Sequence, residues 1–558
     1  MLRQRMDAAL GKVPCDTVIR GVRYLDVFSC EWKTGDVALY SGVIVALEPG
    51  LKAVREFDGR GKWLVPGFID AHVHVESSLV VPAHFERSVL PLGTTTAICD
   101  PHELTNVLGP RALQYFLSES ERLHLDLRVM LSSCVPATHL ETNGAGAVLA
   151  RDLLPFKSHS KALGLAEMMN VPGVLNGDPV VHEKLDAFRD RPLDGHAPLL
   201  TGGALSAYAL CGISSCHESS ELEEAREKLT KGIAVWIREG SVAKDLHALA
   251  SLVTLGSSAC LGFCTDDRNP LDIAQEGHLD HLIRESIRLG VDPVAAYRAA
   301  SYGVAVHYGL NTGPERVGAI APGYRADLVL LDDAGTCAIR TVFKSGIPTA
   351  ELNWSPSTTG KPDQTIHAEP VSEADLGAVT GREHVIDVIP GKIITGRSVR
   401  NHSDPGVARL SVIERHGKKV KPANAWVSGF GEGLRGAIAS SVGHDSHNLI
   451  CVGDEPRSMA VAVNALRQMG GGFVVVRGDQ VLASLALPMG GLMSLEDPSR
   501  IEQGLIALRA ASREIGCELS EPFLQLAFLS LPVIPSLKLT DQGLVDVDLF
   551  SVIDVRAS

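Results

Sequence analysis

The chain has 558 residues, too many for one ordinary core, and its 45% hydrophobic and 21% charged fractions are those of a folded, multidomain protein rather than a disordered one. A formal net charge of −14, with no concentrated Lys/Arg run, argues against a nucleic-acid partner. No stretch approaches the roughly 18 continuous apolar residues of a membrane span, so no membrane partner is expected.

The N-terminus, "MLRQRMDAALGKVPCDTVIRG", carries basic residues but no apolar signal core, and a cytoplasmic location is expected. The eleven cysteines follow no framework spacing and form no CxxC pair, so they read as free thiols in a reducing compartment. From Cys15 to Leu64, short β-like runs ("DTVIRGVRYLDVFS", "GDVALYSGVIVALEPG") alternate with polar turns. A similar run returns at Gly323 to Ala350, and the two are expected to pair into one small β-sandwich-like domain, residues 1–64 with 316–360.

Between them, over residues 65–315, short apolar strands alternate with helical stretches such as "ELEEAREKLTKG". Eight strand candidates occur in order: "KWLVPGFIDAHVHVE", "TTTAICDPHE", "LDLRVMLSSCVPA", "KALGLAEMMN", "PLDGHAP", "GISSCHESS", "IAVWIREGS" and "ACLGFCTDD". Their number, order and span predict an α/β fold built on a (β/α)8 barrel. A doubly wound sheet is the alternative, but no glycine-rich phosphate turn follows any strand. After the Ser/Pro/Thr/Gly-rich break "NWSPSTTGKPDQ", residues 361–558 read as a separate C-terminal α+β domain, with "GGGFVVVRGDQ" a hairpin arm and "IEQGLIALRAASREIG" an amphipathic helix.

The strand ends carry the chemistry. They fall at His72/His74, Asp100/His102/Glu103, Cys134, Glu167, His196, His217/Glu218, Arg238/Glu239 and Asp266/Asp267, and in a barrel such ends meet on one face. Singly each has a plain explanation: a buried structural imidazole at His196, a capped carboxylate at Glu167, a helix N-cap at Asp266. Together, four histidines and two carboxylates are costly to bury without a cation. Mixed imidazole and carboxylate donors suit zinc, manganese or ferrous iron, and six ligands fit two metals better than one. Such a pair lowers the pKa of bound water and polarises an electrophilic carbon, with Asp266 the candidate to take and pass on the proton.

These residues are also a family's motifs. "VPGFIDAHVHVESS", the later Glu, His and His, and "CTDD" resemble the amidohydrolase superfamily. The longer segments "CDPHELTNVLG", "GLAEMMNVPGV", "LDGHAPLL", "CHESSELEEAREKL", "IREGS" and "CTDDRNP", with "VIDVI", "VSGFG" and "SVGHDSHN" further on, resemble its bacterial adenine-deaminating family over nearly the whole chain. The resemblance implies hydrolysis of adenine to hypoxanthine and ammonia by metal-activated hydroxide at a binuclear divalent centre, with manganese or iron expected and zinc tolerated. It further implies that His72 and His74 bind one metal with Asp266, that His196 and His217 bind the second, and that Glu167 bridges them.

Glu103 is the candidate proton donor to the purine ring nitrogen, provided burial keeps it protonated; the plain alternative is a cap on the helix that begins at "LTNVLG". His102 either orients substrate, binds an additional, weaker metal, or serves as a hydrogen-bond donor behind the ligands. Arg238 is expected to form an ion pair with Glu239 that shapes the pocket, with a direct substrate contact the lesser alternative. His444, Asp445 and His447 have ligand-like spacing and are expected to close over the barrel mouth. The other nucleobase-deaminase design joins H-x-E to P-C-x-x-C, and no P-C-x-x-C occurs here.

Three other functions stay open: a deacetylase of the N-acetylglucosamine-6-phosphate type, which needs a phosphate-binding arginine cluster; a deaminase of an N6-substituted adenine; and a non-enzymatic ligand-binding protein on the same barrel. A homodimer is expected, and the apolar "PFLQLAFLSLPVIPSLKL" is either interface or core.

Overall fold

Runs of alternating apolar strand and amphipathic helix build a closed barrel in the middle of the chain. The computed structural model describes residues 1–354, 363–377 and 381–557. The barrel strands are β1 (Phe68–Val73), β2 (Thr94–Cys99), β3 (Asp126–Leu131), β4 (Ala162–Met168), β5 (Leu193–Gly195), β6 (Ser215–Cys216), β7 (Ala234–Arg238) and β8 (Leu261–Cys264). Each pairs in parallel with its sequence neighbour. The circle closes just past β8, where Asp266 N donates to His72 O (3.0 Å) and His74 N to Asp266 O (3.1 Å). All residues of β1 and β2 are buried, because a barrel strand has packed side chains on one face and helices on the other. The helix Leu279–Arg288 shows the complementary pattern, burying Leu279, Leu282, Ile283 and Ser286 along one stripe.

The first apolar run does not form a single strand, as the sequence reading has it. Trp63–Pro66 belongs to the small domain, antiparallel to Leu328–Asp333 with Leu328 opposite Pro66, and β1 starts only at Phe68. Both halves are buried, so nothing in their hydrophobicity marks the seam. Gly67 does: its N donates to Asp327 O at 2.8 Å, and a Cβ there would lie 2.2 Å from Thr95 Oγ1. Gly67→Ala should therefore lower stability by about 1–3 kcal/mol. An unchanged melting temperature would show that Thr95 simply moves aside.

The small domain is one eight-stranded sheet that joins strands from Cys15–Asp26 to Trp63–Pro66 with the returning Leu328–Asp333, Ala338–Lys344 and Ile347–Pro348. The C-terminal portion is built on a second eight-stranded antiparallel-rich sheet, which includes the hairpin Gly472–Arg477 and Gln480–Ala486, and is flanked by the helices Pro456–Met469 and Pro498–Glu514. Residues 355–362 of the "NWSPSTTGKPDQ" break lie outside the described residues.

The apolar core of this portion is not separate. Leu104 and Val107 beside the barrel mouth belong to the same buried cluster as Ile450, Met489, Leu492 and Met493. Backbone bonds seal the junction, Ser494 N donating to Leu79 O at 2.7 Å. The apolar "PFLQLAFLSLPVIPSLKL" is core, with Phe523, Leu526, Leu529, Ile534, Leu537 and Leu539 all buried. Among the described residues no helix is long and apolar enough to cross a membrane.

Candidate active site

Glu167, the last residue but one of β4, organises the site. Its Oε1 faces His72 Nε2 (3.6 Å) and His74 Nε2 (3.4 Å), while its Oε2 faces His196 Nδ1 (2.6 Å) and His217 Nε2 (3.4 Å). One carboxylate thus addresses two imidazole pairs, one pair on each oxygen. Asp266 Oδ1 completes the first group, 3.2 Å from His74 Nε2 and 3.5 Å from His72 Nε2. His72, Glu167 and His217 stand close enough to share an ion, as do His72, His74 and Asp266. Every one of these groups is buried.

The arrangement fits divalent metals on its own chemistry. His74 Nδ1 lies 2.9 Å from Asp100 O, a partner that can only accept, so the proton is fixed on Nδ1 and the Nε2 lone pair points into the cluster. His72 Nε2 and His74 Nε2 stand 3.1 Å apart, both facing the one point that a shared cation would satisfy. Burial works against charge on His72 and His74, yet Asp266 and Glu167 outweigh it and push both imidazoles upward. Burial would likewise raise Glu167 and Asp266; the surrounding imidazoles hold both well below the usual carboxylate range. These carboxylates are anionic near neutrality, as ligands must be.

Asp266 takes a left-handed backbone conformation, φ 53°, unusual for a residue other than glycine. Asp70 helps to hold it: its carboxylate accepts from Thr265 Oγ1 (2.6 Å) and Thr265 N (3.1 Å). On the other side Asn269 caps the helix Pro270–Gln275 by accepting from Asp272 N (3.0 Å), so Asn269, and not Asp266, is the N-cap of "TDDRNP".

Arg238 corrects the sequence reading. It does not pair with Glu239, because neighbours on a strand point to opposite faces. Its Nη1 donates to Asp266 Oδ2 (3.0 Å), Nη2 to Glu218 Oε2 (3.0 Å) and Nε to Asp245 Oδ2 (3.1 Å), which commits the whole guanidinium to carboxylates. Glu239 instead accepts from Leu246 N, and burial raises it to about 7.

Glu103 requires a second correction. It sits in the first turn of the helix His102–Leu108 and caps nothing. Burial alone would keep it protonated, as expected from sequence, but His444, His447 and His102 override burial and hold it well below the ordinary carboxylate range. His444 Nδ1 lies 2.5 Å from Glu103 Oε1, and His447 Nε2 touches Oε2. These partners come from a segment 341 residues away, so nothing local announced them. His102 Nδ1 is 3.0 Å from Asp100 Oδ2 and 3.5 Å from Glu167 Oε1, and its Nε2 is 3.7 Å from Asp445 Oδ1.

His74, Glu103, Glu167, His196, His217 and Asp266 open on one cleft of about 350 Å³, open solvent included, walled on the C-terminal side by His444, Asp445, Ile393, Phe528 and Leu531. Phe528 lies flat on the His444 ring, centroids 4.6 Å apart and planes 10° apart. Sequence reasoning assigned no site role to Phe528, Ile393, Leu531, Met169 or Asp267, all of which line the cavity. The apolar ones look like any core residue; Asp267 had a signal, the doubled acid of "CTDD".

A closed parallel barrel with His, Asp and Glu side chains gathered at its strand ends defines an amidohydrolase, and the amidohydrolase family profile matches residues 63–349. A second profile, the adenine deaminase C-terminal domain, matches residues 390–551. The chain is 50% identical to an adenine deaminase of Methylobacterium nodulans over 98% of both chains, and 48% identical to adenine deaminase 1 of Rhizobium meliloti over 99% of both. It belongs to the adenine deaminase family.

Proposed function

We propose that this chain hydrolyses adenine to hypoxanthine and ammonia, in purine salvage in the cytoplasm, at a binuclear divalent centre. The observation that carries the reading is the split of Glu167, one oxygen toward His72 and His74 and the other toward His196 and His217, with Asp266 beside the first pair. His72, His74 and Asp266 would hold one metal, His196 and His217 the other, and Glu167 would bridge. Manganese or ferrous iron suits these donors best and zinc is tolerated; bound there, the ions would activate a water and polarise the purine.

The remaining chemistry falls to the chain's own groups. Asp266, ionised and fixed by Arg238, takes the proton of the attacking water and delivers it to the departing amine. Glu103 and His444 together hold one proton, sited on the imidazole, and pass it toward the ring nitrogen on which charge builds as the carbon becomes tetrahedral. Phe528, Ile393 and Leu531 give the heterocycle an apolar wall beside the polar groups that orient it. Arg238, the single arginine of the cavity lining, is saturated by carboxylates, which speaks against a sugar-phosphate substrate.

Removal of metal with a chelator should abolish ammonia release from adenine, and manganese or ferrous iron should restore it. Acetate release from N-acetylglucosamine 6-phosphate, with adenine untouched, would overturn the reading; a metal-loaded protein inert toward all purines would favour a binding role.

A further inference from the structure

We propose that Lys538 is a positioning residue for this reaction, clamping two separate segments into the apolar wall of the active site. Lys538 lies on the strand Leu537–Thr540 and is fully buried. Its Nζ donates to Ile393 O at 2.8 Å and to Phe528 O at 3.0 Å. Among the described residues neither partner is a carboxylate, so the ammonium is not there for an ion pair. Burial without a counter-charge lowers Lys538 to about 7, a cost that a surface site avoids.

Its two partners are the backbones of two of the wall residues. Ile393 sits in the loop between the strands Arg382–Val388 and Thr395–Asn401, while Phe528 begins the turn that ends the helix Pro522–Ala527. Their side chains reach the same cavity. One ammonium therefore fixes the separation of the loop and the helix end. Gln525, buried one turn earlier, ties the same loop a second time: its Oε1 accepts from Gly391 N (2.9 Å) and its Nε2 donates to Lys392 O (2.9 Å). Two buried polar side chains thus converge on a six-residue loop whose one contribution to the site is an apolar side chain. That is the construction expected where the position of a wall, rather than a reacting group, is controlled.

The inference rests on adenine being the substrate of this cavity. The test uses the full-length, metal-loaded protein with adenine and N6-methyladenine. Lys538→Met, similar in length but without the donor, should raise KM for adenine about tenfold while kcat stays within about threefold, since uniform binding is lost and the reacting groups are untouched. The preference for adenine over N6-methyladenine should fall by about tenfold as the wall loosens. Gln525→Leu should move both quantities the same way by less, and the double variant should cost less than the product of the two. If Lys538→Met does not fold, Gln525→Leu decides. A lowered melting temperature with KM and the preference unchanged would make both residues merely structural and overturn the proposal. Absence of adenine turnover in the unsubstituted protein would instead overturn the substrate assignment.

Discussion

Asp266→Asn should reduce turnover of adenine by about 10³-fold or more while leaving the barrel folded. Asp266 does three things at once. Its Oδ1 stands 3.2 Å from His74 Nε2 and completes the first donor group; its Oδ2 takes the Arg238 guanidinium at 3.0 Å; its backbone closes the barrel through bonds to His72 and His74. Asparagine keeps the third role, because it tolerates the left-handed backbone as readily as aspartate does. It loses the charge that suits Asp266 to accept a proton and to ligate a cation. Arg238 stays neutralised by Glu218 and Asp245, so no unpaired buried charge is created and the fold is spared. Steady-state turnover and metal content, with circular dichroism as the check on folding, separate the outcomes. Activity within tenfold of the unsubstituted protein would remove Asp266 from the proton transfer.

The barrel was legible because its strands are buried on both faces and end in polar residues; a run such as "TTTAIC" followed by "DPHE" records both facts in the sequence. What was not legible depended on contacts between distant segments. Gly67 splits one apolar run between two domains, and only the clash with Thr95 shows why a glycine stands there. The pairing of Arg238 with Glu218, Asp245 and Asp266, rather than with Glu239, follows from the alternation of side chains along β7, a rule available from sequence but applied there to the wrong neighbour. The state of Glu103 was beyond reach, because burial and its reversal come from different parts of the chain. "CDPHE" supplies the carboxylate, and "SVGHDSHN" the imidazoles that set its charge. Those two motifs were each visible, while their meeting was a property of the fold alone.

Glu103→Gln should lower turnover by about 10²- to 10⁴-fold with metal content near normal, and it should also move the pH profile. Burial opposes a charge on His444, but Glu103 at 2.5 Å, Asp267 and Asp445 outweigh it and bring His444 to about 9. His447 contacts the other Glu103 oxygen and burial keeps it low, while the Phe528 ring covers the His444 face without adding charge. An imidazole whose pKa is raised above about 6.5 stays protonated through neutrality and loses its proton as pH rises through about 9. The same sign governs stability: the pair's contribution is whole below about pH 6.5 and is lost as pH passes through 9. If that proton serves the ring nitrogen, kcat/KM should fall on an alkaline limb near 9. In Glu103→Gln the neutral amide no longer holds the charge, burial regains the upper hand, and the limb should move toward neutral pH. Residual activity with an unshifted limb would place the proton elsewhere and leave Glu103 a structural partner of His444.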